Sequence, residues 1–160
     1  MTQAGGPVVV IGIGNEFRRD DGAGPAVVAS LHGRVPPDVA LTITDGEPAR
    51  LVDAWTGAAL AIVVDAVRVA GPHAPRPGTV HRLVLDRPGS TAERTASSHG
   101  LGLDDAVALA LALERMPGRL IVHAIEAGDL SQGRGLTPPV AAAVATVATA
   151  VLDDIAGSCG

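Results

Sequence analysis

Cysteine is almost missing from this chain of 160 residues: the single one is Cys159, beside the C-terminus. A disulfide framework and a cysteine-ligated metal cluster within the chain are thereby excluded, and a cytoplasmic, reducing setting is expected. Aromatic residues are as scarce, Trp55 and Phe17 being all there are, so no stacking platform for single-stranded nucleic acid can be assembled. Positive charge is not concentrated anywhere either. The net charge is -5 and the arginines are spread along the chain, Arg18-Arg19 being the one adjacent pair, which argues against nucleic acid as a partner. The N-terminus lacks a basic start followed by an apolar stretch, and no unbroken apolar run approaches bilayer-spanning length. Neither a signal peptide nor a membrane association is expected.

What remains is an aliphatic chain, 47% hydrophobic, long enough to bury one sizeable core of Val, Leu, Ile and Ala. A single domain over residues 1–160 is expected. Val8-Val9-Val10-Ile11, Leu60-Ala61-Ile62-Val63-Val64 and Leu120-Ile121-Val122 are short continuous apolar runs, the pattern of strands buried on both faces. Leu41-Thr42-Ile43-Thr44 and Val80-His81-Arg82-Leu83-Val84-Leu85 carry more polar positions, as strands near a sheet edge do. Helices are predicted over residues 24–31, 48–55, 103–115 and 138–155. In the last, Val140, Val144, Val147, Val151 and Ile155 share one face, with Thr137 as cap and Pro138 in the first turn. Strand and helix thus alternate, which predicts an α/β fold: a three-layer α/β/α sandwich around a mostly parallel sheet of about five strands. Residues 67–77 and 88–98 read as surface loops.

In an open α/β sheet the ligand site lies beyond the carboxyl ends of the strands. Three sets of polar residues stand there. The first strand is followed by Gly12-Ile13-Gly14-Asn15-Glu16-Phe17-Arg18-Arg19-Asp20-Asp21-Gly22, which delivers two acids to the start of a helix. Asp65 follows the third apolar run, and His99 sits in the small-residue loop Ser97-Ser98-His99-Gly100-Leu101-Gly102. Two carboxylates and an imidazole suit a divalent metal such as zinc or nickel, with positions left open for substrate or water. Each residue also has a plainer role open to it. Asp20 reads best as a helix cap, Asp65 as a turn acid, and His99 alone as a structural histidine. Glu16 reads as solvated, and His32, His73, His81 and His123 as surface or packing residues. Asp45-Gly46 is a turn or a cleft group, and Glu126 an ordinary loop acid or a cleft group.

Taken in order, these strings resemble the hydrogenase maturation proteases. Val10-Ile11-Gly12-Ile13-Gly14-Asn15 with Asp20-Asp21-Gly22-Ala23-Gly24 is similar to that family's opening signature. Asp45-Gly46, Val63-Val64-Asp65-Ala66, Ser98-His99-Gly100-Leu101-Gly102-Leu103 and Gly135-Leu136-Thr137-Pro138 follow in the family's order, over nearly the whole chain. The resemblance implies a phosphorylase/hydrolase-like sandwich with Asp21, Asp65 and His99 as the metal-contacting and catalytic positions; Asn15, Asp45 and Glu126 are candidate substrate-cleft groups beside them. It implies an endopeptidase that removes the C-terminal extension of a nickel-iron hydrogenase large-subunit precursor once nickel is inserted. The nickel would be carried by that precursor, and no organic cofactor is expected. Two departures stand out: many relatives have Glu where Asp21 stands, and a Gly-Thr pair where Glu47-Pro48 follow Asp45-Gly46.

No Gly-Xaa-Ser-Xaa-Gly elbow or His-Glu-Xaa-Xaa-His helix marks a nucleophile. Water attacking a metal-polarised carbonyl, with Asp21, Asp65 or Asp45 as base, is the expected chemistry. Two other readings stay open. A non-catalytic module that checks or escorts nickel-bearing precursors would use the same residues. A dinucleotide-binding domain would use Gly12-Xaa-Gly14 and Asp45, although Phe17 occupies the place of its third glycine.

Overall fold

A computed structural model describes residues 6–68, 76–85 and 103–158. In chain order these form β1 (Val8–Ile13), a 3-10 turn (Arg19–Gly22), α1 (Ala23–Leu31), β2 (Val39–Thr44), α2 (Pro48–Trp55), β3 (Leu60–Val67), β4 (Val80–Leu85), α3 (Asp104–Leu113), β5 (Arg119–Glu126) and α4 (Pro138–Ser158). The five strands make one sheet in the order β2-β1-β3-β5-β4, parallel throughout except for β4, which runs antiparallel to β5. The expected α/β sandwich is what the chain adopts. Both polar-patterned strands, β2 and β4, are its edges, where a half-solvated strand can keep polar side chains.

Alternation along the buried strands feeds two cores. Val9, Ile11, Ala61, Val63, Leu120 and Val122 face Leu51, Trp55, Val107 and Ala110 of α2 and α3. Val10, Ile62, Val64, Ile121 and Ile125 face Val27, Leu31, Val140, Val147 and Val151 of α1 and α4. Burial of each such aliphatic side chain is worth roughly 1.5–3 kcal/mol. Trp55 is fully buried in the first layer.

Two strands run further than their apolar runs. Asp65 is the sixth residue inside β3 rather than the residue behind it. His123 interrupts the hydrophobic pattern of β5 without ending the strand, because its ring is buried and its Nε2 lies 2.8 Å from Asp154 Oδ2 on α4. Glu126 is therefore the last residue of β5.

The expectation that no stretch reaches membrane-spanning length also needs correction. α4 has 21 residues and a mean hydropathy of 1.6 in its most apolar part, which meets that measure by length and composition. The Thr and Asp positions between Val140 and Ile155 favour reading this hydrophobic stretch as a packed helix. Val140, Ala143, Val147, Val151 and Ile155 bury one stripe of α4 against the sheet and α1.

Candidate functional site

The strand order sets the place of the site. From β1 the chain crosses through α1 to β2 on one side and, later, through α2 to β3 on the other. Beyond the carboxyl ends of β1 and β3 the connections diverge, which is where an open α/β sheet places its ligand crevice. Ile13, the last residue of β1, pairs with Asp65 of β3, so the acid stands at that divergence.

Glycines allow the loop after β1 to fold into it. Gly14 has φ +145°, and a Cβ there would lie 1.8 Å from the Asp21 carbonyl oxygen. A Cβ on Gly24 would meet the carbonyl oxygens of Ile13 and Val64 at 2.5 and 2.6 Å. The absent side chains therefore let the 3-10 turn and α1 lie directly on β1 and β3. Asp21 is carried back over the sheet in that turn, and its Oδ2 accepts the Asn15 N–H at 2.8 Å. The Asn15 side chain is turned to the Phe17 N–H, 2.9 Å away.

Asp65 is 7% exposed. Burial and, second, the negative charge of Asp21 push its carboxyl up to about 8, against a weaker opposing hydrogen bond from the Ala66 N–H. The two acids thus sense each other across the crevice. A pair of carboxylates with one backbone donor each among the described residues, at the mouth of a parallel sheet, is fitted to receive a cation or to take up a proton. His99, with Ser97 and Ser98, lies outside the described residues. Among the described residues no group of three or more His, Cys, Asp or Glu side chains is gathered as a metal site.

The other candidates are already engaged. Asp45 is exposed; its Oδ1 accepts the Glu47 N–H at 3.1 Å and its Oδ2 pairs with Arg50 at 2.6 Å. Those contacts hold its carboxyl below the ordinary range, the Glu47 hydrogen bond first and Arg50 next. Glu47 and Pro48 build a helix start: the Glu47 side chain caps α2 by accepting from the Ala49 and Arg50 N–H groups, and Pro48 opens the helix. Glu126 is buried and accepts from the Arg76 N–H at 2.9 Å and from His81 Nε2 at 2.7 Å. Burial pushes its carboxyl up, but the Arg76 and His81 contacts outweigh that and hold it below its ordinary value.

Asp20 was expected to cap a helix and does not. It is fully buried, and its side chain caps neither the 3-10 turn nor α1. Its Oδ2 accepts the Gly128 and Asp129 N–H groups at 2.8 and 2.9 Å, and its Oδ1 the Thr137 N–H at 2.7 Å. The Thr137 hydroxyl donates to the same carboxylate at 2.9 Å, while the Thr137 carbonyl accepts the Ala141 N–H at 2.9 Å at the start of α4. Burial pushes this carboxyl up, yet the bonds from Thr137, Asp129 and Gly128 prevail and hold it below its ordinary value. Three backbone bonds extend the junction: Gly133 N–H to Phe17 O, Arg19 N–H to Gly133 O, and Asp20 N–H to Asp129 O, at 2.8, 2.9 and 2.9 Å. Above it Phe17 is exposed, with the Arg134 guanidinium 5.1 Å from its ring centre. Only the Gly135-Leu136-Thr137-Pro138 string hinted in the sequence that this loop belonged to the site.

Known proteins resemble the chain in sequence and in fold. The family model for hydrogenase maturation proteases matches residues 25–154, a span that holds Asp65 and His99 and begins just after Asp21. The hydrogenase expression/formation protein HupD of Bradyrhizobium diazoefficiens is 33% identical over 138 residues, covering 83% of this chain and 69% of HupD. Among solved structures, the hydrogenase maturating endopeptidase HybD of E. coli superposes with a TM-score of 0.76 at 24% identity, covering 95% of this chain and 93% of that one. The hydrogenase 2 maturation peptidase of a Thaumarchaeota archaeon gives 0.68 at 25% identity, covering 93% and 97%. This chain belongs to the hydrogenase maturation protease family.

Proposed function

We propose that this protein is the endopeptidase that removes the C-terminal extension from a nickel-iron hydrogenase large-subunit precursor after nickel insertion, and that it recognises the nickel held by that precursor. Family membership supports the hydrolytic reading. The observation that carries the nickel reading is the Asp65 carboxyl, buried, short of donors and pushed up to about 8 beside Asp21. A cation brought by the substrate would supply the counter-charge these two acids lack, and His99 would complete the contact as a nitrogen donor. A metal-free precursor would bring no such charge and would dock poorly.

The raised carboxyl also favours Asp65 over Asp45 as the base. Asp45 is held below its ordinary range by Glu47 and Arg50, whereas a group near neutrality can take a proton and return it. In the hydrolysis, a water oxygen bonds to the scissile carbonyl carbon while the acid takes the water's proton. The carbon–nitrogen bond then breaks, and the proton passes to the departing amine.

The test is intact-mass spectrometry of the partner precursor, nickel-loaded or metal-free, incubated with wild-type protein or with His99→Ala. Loss of a C-terminal fragment from the nickel-loaded precursor alone, with wild-type protein alone, is the expected result. Equal cleavage of both precursors would defeat the nickel reading, and stable binding without cleavage would make the protein an escort.

A further inference from the structure

We infer that Asp20 is a positioning residue: its carboxylate locks the loop after β5 onto the loop after β1 and so holds the neighbouring Asp21 against Asp65. The donors on Asp20 come from residues 128, 129 and 137. All belong to the segment joining β5 to α4, 108 to 117 positions away in the chain. No cation is needed there, because converging N–H and O–H donors disperse the charge. The turn that carries Asp20 lies on β3, and the next side chain, Asp21, is fixed from its other side by the Asn15 N–H at 2.8 Å. Asp21 therefore hangs between a buried anchor at Asp20 and a backbone bond at Asn15. Of two consecutive acids, one is saturated so that the other can stay unsaturated in a defined place.

The inference rests on the proposed cleft, so the experiment reads the position of Asp21 separately from turnover. Asp20→Asn keeps the shape, loses one acceptor and turns an NH2 group toward converging donors. Amide hydrogen exchange and ¹H–¹⁵N spectra of the full chain should show protection lost at Gly128, Asp129 and Thr137, and also at Asn15, whose N–H reports the Asp21 carboxylate directly. Cleavage of the nickel-loaded precursor should fall in kcat by about a hundredfold, with KM changed less than about threefold. Thr137→Val, which removes one donor and leaves the acid, should lower kcat by about tenfold, and Thr137→Ser should restore it. Should Asp20→Asn fail to fold, the Thr137 pair decides by the same readings. An unchanged Asn15 amide with unchanged kcat, in a variant whose loop amides have lost protection, would overturn the inference and leave Asp20 as a loop anchor alone. If the wild-type protein cleaves neither form of the precursor, the proposed activity fails while the Asn15 amide still decides the role of Asp20.

Discussion

Asp20 and Asp65 are two buried carboxylates at the same edge of one sheet, and they are opposite in character. Asp20, with no exposure, accepts from four donor groups and is held below its ordinary value. Asp65, at 7% exposure, has the Ala66 N–H and a second acid for company, and is pushed up to about 8. Burial alone thus does not decide what a carboxylate does; the supply of donors does. The saturated acid joins two loops. The starved one is left with an unmet electrostatic need, which is what a cation-directed site requires.

The largest way to break the comparison is at the starved acid. Asp65→Asn is expected to lower cleavage of nickel-loaded precursor by at least about a thousandfold, read by intact mass over time. Asp20→Ala strikes the saturated one. It strands buried N–H donors and should lower unfolding stability by about 3 kcal/mol, measured by denaturant titration with the buried Trp55 as the fluorophore.

Stability against pH sharpens the contrast, since the two acids act with opposite sign. Asp20 has a lowered folded pKa. Its contribution is complete above the ordinary value of 3.8 and is lost as pH falls below it. Asp65 has a raised folded pKa, so its contribution is complete below 3.8 and is lost as pH rises toward 8. Asp65→Asn should therefore flatten the fall in stability between those values and leave the variant more stable than wild type at pH 9. Wild-type and variant curves that coincide from pH 4 to pH 9 would contradict a raised Asp65.

A partly buried acid on α4, away from β1 and β3, gives a control of similar size. Asp154 holds His123 at 2.8 Å and Arg82 at 2.6 Å on the α4 face. Asp154→Asn should lower stability by about 2 kcal/mol and leave kcat within about twofold. A large loss of turnover there would mean that the cleft is not confined to the crevice between β1 and β3. The smallest effect is expected at Asp45→Ala, where an exposed ion pair is lost and the melting temperature should stay in place.

How much of this was legible in the sequence follows from the range of the interactions. Continuous apolar runs gave β1 and β3, and polar alternation marked β2 and β4 as edges, because burial writes itself locally into a strand. Asp65 was legible for the same reason, as an acid at the end of an unbroken apolar run. Strand order and the reversed direction of β4 were not legible, since both depend on which strand meets which after crossovers. Asp20 was misread as a cap because its partners lie more than a hundred positions away. Thr137 does stand at the cap position of α4, its carbonyl accepting the Ala141 N–H, but its hydroxyl is given to that same carboxylate. His123 hid the second half of β5, because the partner that makes its burial tolerable is on α4.

The central claim is that Asp65 is starved and Asp20 is saturated. Its most direct test is a pH titration of the free protein labelled at the aspartate carboxyl carbons, with Asp65→Asn and Asp20→Asn assigning the two resonances. The expected result is an Asp65 midpoint near 8 that falls in Asp21→Asn, with Asp20 ionised throughout the neutral range. An Asp65 midpoint at the ordinary value of 3.8, unmoved by Asp21→Asn, would contradict it.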